Sequence, residues 1–119
     1  MGTFSVFATL TNPERPELWA RTELIVDTGA TWMLLPAELV AELAVETPRE
    51  RTVMMANGDR VTFPMGELLI TLNGETLTTI FLAGPPGIRA LLGAFTLEGF
   101  GLAADPVRQV LVPVVGLLT

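Results

Sequence analysis

The residues of this chain best suited to chemistry are Asp27, Thr28 and Gly29, which follow the apolar run Leu24-Ile25-Val26. A carboxylate delivered at the end of a buried strand is costly unless it is paired or has a task. Thr28 adds a hydroxyl, and Gly29 lets a backbone or ligand approach closely. The rest of the inventory narrows what that task can be. The 119 residues include no His, Cys, Lys or Tyr, and Ser5 is the single serine. That excludes a Ser-His-Asp or Cys-His nucleophile, the usual zinc sites, a redox disulfide, a Schiff-base lysine and a P-loop lysine. Carboxylate chemistry remains, and among the 13 acidic residues only Asp27, Asp59 and Asp105 are Asp. Two carboxylates held about a hydrogen bond apart cannot both ionise and so share one proton. The charged one takes a proton from water while the neutral one protonates a carbonyl, with no metal and no cofactor required. The sequence holds one Asp-Thr-Gly, so such a pair must come from two copies related by a two-fold axis.

The other polar candidates read as structure. Asp59 follows Asn57-Gly58 and Asp105 precedes Pro106, both as turn residues. Glu38 and Glu42, at i, i+4, read as a solvated helix face rather than a metal pair. Arg89 reads as a solvent-facing strand end. Trp32, five residues past Asp27, faces either a cleft or the core, and packing is the expected use. Met54, Met55 and Met65 fit an adaptable apolar surface or gap filling. A net charge of −6 and a pI near 4.4 exclude a nucleic-acid or anionic-membrane partner. The longest apolar stretch, Val110 to Leu118, is broken by Pro113 and Gly116 and is far shorter than the ~20 residues of a membrane span. The N-terminus has neither a basic n-region nor a myristoylation signal, so a soluble, cytoplasmic protein is expected.

The elements that must position Asp27 follow from periodicity. Thr3 to Thr11 and Leu18 to Val26 form a hairpin around the proline-stiffened loop Asn12-Pro13-Glu14-Arg15-Pro16. Thr31 to Leu35 is a short strand. Pro36, as the first helical residue, opens a helix through Ala44, with Leu35, Leu39 and Leu43 on one face. From Thr52 to Leu82 two hairpins share the strand Asp59 to Leu72 and turn at Asn57-Gly58, a type I′ candidate, and at Asn73-Gly74. Ile88 to Leu92 is a strand, Ala94 to Gly99 a helix of one or two turns, and Arg108 to Val114 a closing strand. Leu24 to Leu43 and Ala90 to Gly99 echo one another as strand, glycine turn and helix. Residues 1–119 read as one mostly-β domain.

The apolar residues before Asp27, the Asn57-Gly58 hairpin some thirty residues on, and Ala90-Leu91-Leu92-Gly93 before a short helix together resemble the retropepsin-like aspartic proteases. The resemblance covers nearly the whole chain. It implies a closed or barrel-like protomer, half of a bilobal pepsin, with one or two short helices, active as a homodimeric endopeptidase on a peptide or protein substrate. Asp27 would be catalytic, supported by Thr28 and Gly29. The hairpin Thr52 to Phe63 would be the flap, its tip Met55-Ala56-Asn57-Gly58 lying on the substrate with Ala30, Leu34 and Leu91. Leu34, Met55, Ile88 and Leu91 suggest an apolar cleft. Leu91-Leu92-Gly93 would back the active-site loop. The acid and arginine that brace retroviral dimers are replaced by Thr31 and Ala94, and Phe95 stands where relatives carry Asp or Asn. This dimer must therefore be held otherwise, and the terminal strands Thr3–Leu10 and Arg108–Val114 are the expected means. The rival reading is a non-catalytic peptide-binding or dimerisation module of the same fold, taking peptides as an added strand.

Overall fold

The computed structural model describes residues 3–119. Its strands are β1 (Ser5–Thr11), β2 (Trp19–Val26), β3 (Met33–Leu35), β4 (Arg49–Met54), β5 (Arg60–Leu72), β6 (Glu75–Ala83), β7 (Leu91–Leu92), β8 (Leu102–Asp105) and β9 (Val110–Pro113). Two helices, α1 (Ala37–Leu43) and α2 (Ala94–Phe100), interrupt them. The main sheet runs β1-β2-β7-β3-β6-β5-β4, and β1 also pairs with β5, so six of its strands close into a ring with β4 outside it. The fold is mostly β with two short helices, as expected.

The ring closes because β5 changes partner along its 13 residues. Its first half, Arg60 to Met65, pairs with β4, while Leu69 to Thr71 pair with Thr11 to Thr9 of β1. That second pairing occupies part of an edge expected to be open, so the N-terminal strand is an unpartnered edge only over Ser5 to Ala8. Inside the ring, alternate residues Leu10, Leu24, Leu68, Ile70, Phe81 and Leu92 are fully buried, the period-2 pattern of a one-sided sheet. A smaller apolar cluster, Phe63, Met65 and Leu82, packs with Trp32, Leu34 and Val53 where the β4–β5 hairpin leaves the ring.

Local chemistry departs from expectation at identifiable points. Pro36 is the N-cap of α1 rather than its first residue, with extended ψ of 148°. Asn12 is buried: its side-chain oxygen accepts from Glu14 N and Arg15 N, and its amide donates to Leu43 O and Ala44 O. This one side chain ties the β1–β2 loop to the end of α1 and satisfies carbonyls that helix termination leaves free. Glu38, on the exposed face of α1, accepts Gly87 N at 3.0 Å from each carboxylate oxygen. Asn73 and Gly74 both have positive φ, as a type I′ turn requires. At the other Asn-Gly only Gly58 does, at 91°. Gly58 N donates to Met55 O, and Met55 N to Asp59 O, so this tip is a wider loop whose left-handed residue is the glycine. Asp59 stays in that turn, bonded to Asn57 through its backbone N and its carboxylate. Arg108 to Val114 is only half of the C-terminal element: β8 pairs with β9 as a separate two-stranded sheet. Asp105 sits at its turn, accepting Val107 N and Arg108 N and pairing with the Arg108 guanidinium at 2.8 Å. That contact holds its carboxyl below the ordinary value of 3.8. Among the described residues no helix is long and apolar enough to cross a membrane.

Candidate functional site

Asp27 leaves the ring at the end of β2, whose last residues pair in parallel with β7 as Ile25↔Leu91 and Val26↔Leu92. Asp27 N donates to Leu92 O at 3.0 Å, so β7 holds the backbone of the acid. The chain then turns: Ala30 N donates to Asp27 O at 3.1 Å, and Gly29 N to Asp27 Oδ1 at 3.0 Å. One carboxylate oxygen is thereby fixed by its own loop. A Cβ on Gly29 would lie 3.3 Å from that oxygen, so glycine leaves the carboxylate its place.

The segment after β7 closes over the same loop from beneath. Ala94 N donates to Ala30 O at 2.8 Å and Phe95 N to Thr31 O at 2.9 Å. Gly93 lies under the loop, where a Cβ would meet Trp32 O at 2.7 Å and Ala30 O at 2.8 Å. No real Cβ approaches backbone oxygen that closely, so the glycine is required for space. The echo between the two halves of the sequence is thus a physical one, since the repeated elements lie side by side and hydrogen-bond to each other.

Above Asp27 opens a cleft of about 620 Å³. Its floor is Asp27, Gly29, Ala30, Thr31 and Trp32, with Leu34 and Leu91 behind; Thr52 to Ala56 of the β4–β5 hairpin form the opposite wall, and Phe63 and Leu82 the inner end. Among the described residues Asp27 is the only ionisable one that lines it. Of the residues singled out in the sequence, Asp27, Gly29, Ala30, Leu34, Met55, Ala56 and Leu91 meet here. Thr28 is exposed at the turn and, like Asn57 and Gly58 at the hairpin tip, does not line this cleft. Ile88 is also outside it, packed against Gly84. Trp32 lines the cleft and packs against the smaller apolar cluster, so it serves both uses. Met54 and Met55 are exposed on the hairpin wall, whereas Met65 is buried. Arg89 is exposed. Phe63, Leu82 and Val53 were not anticipated as lining. Their strand alternation marks them as inward-facing, but only the bend of the hairpin out of the ring turns that face onto a cleft.

A closed strand ring, an Asp-Thr-Gly loop backed by a second strand-glycine segment, and a hairpin opposite the aspartate define the retropepsin-like fold. No protein-family model and no curated protein sequence matches the chain. Solved structures do match. A retropepsin-like aspartic protease from Rickettsia conorii superposes with a TM-score of 0.59 at 24% identity, covering 88% of this chain and 86% of that one. EIAV protease complexed with the inhibitor HBY-793 gives 0.60 at 16%, covering 84% and 89%. A protein of unknown function from Legionella pneumophila gives 0.56 at 16%, covering 93% and 95%. The likeness extends over nearly the full length of each partner, and the shared fold is the retropepsin-like one.

Proposed function

We propose that the chain, residues 1–119 acting as one unit, is an aspartic endopeptidase that works as a homodimer. The observation that carries the reading is the placement of Asp27: alone among the described ionisable groups in an apolar cleft, one oxygen held by Gly29 N and the other unengaged. A single carboxylate there supplies a base or an acid, and peptide hydrolysis needs both. A second copy, brought up at the Asp27 loops, supplies the other.

In that pair the ionised Asp27 takes a proton from a bound water. The water oxygen bonds to the scissile carbonyl carbon as the neutral Asp27 passes its proton to the carbonyl oxygen. The tetrahedral diol then collapses: one diol hydroxyl gives its proton to the ionised carboxylate, the neutral carboxyl protonates the amide nitrogen, the C–N bond breaks, and a carboxylic acid and an amine are released. The pair ends with one proton, as it began. The β4–β5 hairpin acts as the flap, excluding water from the bound peptide, and the Leu34, Met55 and Leu91 surfaces favour apolar side chains beside the cleaved bond. Exposed Thr28 is available to contact the partner's loop. Val110, Val114 and Val115, all exposed around β9, offer apolar surface for the association.

The test is concentration. Sedimentation and turnover of a peptide with apolar residues flanking its cleavage point, measured over one dilution series, are expected to fall together with the dimer fraction. Full activity per chain from a monomer overturns the shared site. Identical peptide profiles from the parent and Asp27→Asn proteins support the binding module instead.

A further inference from the structure

Arg51, on the β4–β5 hairpin next to two residues that line the cleft, is a charged residue that the proposed chemistry does not use. Its guanidinium carbon lies 5.5 Å from the centroid of the Trp32 ring, and Trp32 is part of the cleft floor. The strand register places Arg51 directly opposite Phe63, which lines the inner end. On the other face of the hairpin the hydroxyls of Thr52 and Thr62 bond at 2.7 Å, holding that register beside Arg51. Arg51 thus joins the hairpin to Trp32 beside the cleft, without itself lining it.

Among the described residues its charge has no carboxylate partner. Among them the ion pairs are Arg15–Glu17 and Arg108–Asp105, although acids outnumber arginines 13 to 7. Alternation puts Arg49, Arg51 and Val53 on one face of β4, opposite Met65, Phe63 and Val61. None of these is acidic. A guanidinium held over an indole by a cation–π contact keeps N–H groups available, and their fork matches a carboxylate in two parallel hydrogen bonds. The surrounding chain is net negative, so an acidic side chain is repelled elsewhere and attracted here.

We propose that Arg51, positioned by Trp32, is a specificity residue that selects peptides carrying Asp or Glu at a position near, but not at, the apolar cleavage point. The proposal rests on the peptidase reading for the site it serves. The apolar floor takes the residues flanking the bond, and Arg51 reads an acid beyond them.

The experiment uses peptides with a fixed apolar core and Glu, Gln or Lys placed in turn at each of three positions on either side. With the unmodified protein, kcat/KM for Glu over Gln is expected to reach about tenfold at one position, as a hydrogen bond between charged groups allows. In Arg51→Gln that ratio is expected to fall to about one, and in Arg51→Glu the Lys peptide is expected to become the best of the three, a gain that misfolding cannot produce. Arg51→Lys, which keeps the charge without the fork, is expected to restore part of the Glu preference. A Glu preference that survives Arg51→Glu, or none at any position, overturns the assignment. If no peptide is cleaved, the peptidase reading fails by itself. The same peptides are then titrated against the parent and Arg51→Glu proteins by NMR, where tighter Glu binding that reverses to Lys upholds the role of Arg51 and equal binding ends it.

Discussion

The loop Asp27–Ala30 and the segment Gly93–Ala94 each follow one strand of the same parallel pair, and each contains a glycine, yet the glycines answer to different demands. Gly29 is exposed, and the nearest neighbour of an added Cβ would be the Asp27 carboxylate it serves. Gly93 is buried, and its Cβ would strike two backbone carbonyls of the first loop. The first loop presents a carboxylate on a face open to the cleft; the second presents none and supplies the bed on which the first rests. Under the proposed function, a motif repeated in sequence is divided into a working half and a supporting half, and the supporting half is the less tolerant of added atoms.

Asp27→Asn sharpens the contrast most. The amide keeps the shape but cannot act as the ionised base, so turnover is expected to fall about 1,000-fold, while thermal unfolding shifts by no more than about 0.5 kcal/mol. Unfolding well below the parent temperature would show that the working half is also structural. Gly93→Ala is expected to do the reverse, destabilising the fold by about 3 kcal/mol because backbone oxygens cannot swing aside as a side chain can. Activity then falls with the folded fraction, and a stable, inactive Gly93→Ala protein would break the division.

Gly29→Ala lies between. Its Cβ crowds Asp27 Oδ1 at a tight but not impossible 3.3 Å. About a tenfold loss in kcat is expected for this small displacement of the acid, with a melting temperature close to the parent's. Gly58 extends the comparison to a glycine required for conformation rather than space, since nothing lies within 4 Å of its Cβ position. Ala and Val there should each cost about 1 kcal/mol and Asn less, because the strain is torsional. A much larger cost for Val than Ala would reveal a neighbour.

Asp105 gives the smallest effect and a control carboxylate. Like Asp27 it accepts backbone N–H groups in a turn, but Arg108 also pairs with it and lowers its proton affinity. The stabilisation is therefore present above its ordinary value of 3.8 and lost as pH falls through the lowered one. Amide exchange at Val107 and Arg108 should accelerate across that acid window, and Asp105→Asn should remove the dependence. Peptidase activity should be indifferent to Asp105→Asn; a changed activity profile would tie the distant hairpin to the cleft.

The strand-loop-helix order, both Asn-Gly hairpins and the lone aspartate after an apolar strand were legible in the sequence, because alternation, turn chemistry and inventory act over a few residues. Three-dimensional pairing decided what needed a distant partner. Leu102-Ala103-Ala104-Asp105 contains no β-branched residue and becomes a strand only beside β9. Arg49-Glu50-Arg51, polar enough to read as a loop, extends β4 because Met65, Pro64 and Phe63 lie opposite. The two Asn-Gly tips differ because Asn57 bonds to Asp59, a contact that has no counterpart at Asn73. The sequence alone determined that, without His, Cys or Lys, carboxylates are the acid–base groups it has to offer, and that Asp27 follows an apolar strand. Only the closed ring decided that Leu92 holds its backbone, that Gly93 must be bare, and that Trp32 lies within reach of Arg51, since each of these is a contact between segments tens of residues or a whole hairpin apart, or a space left between them.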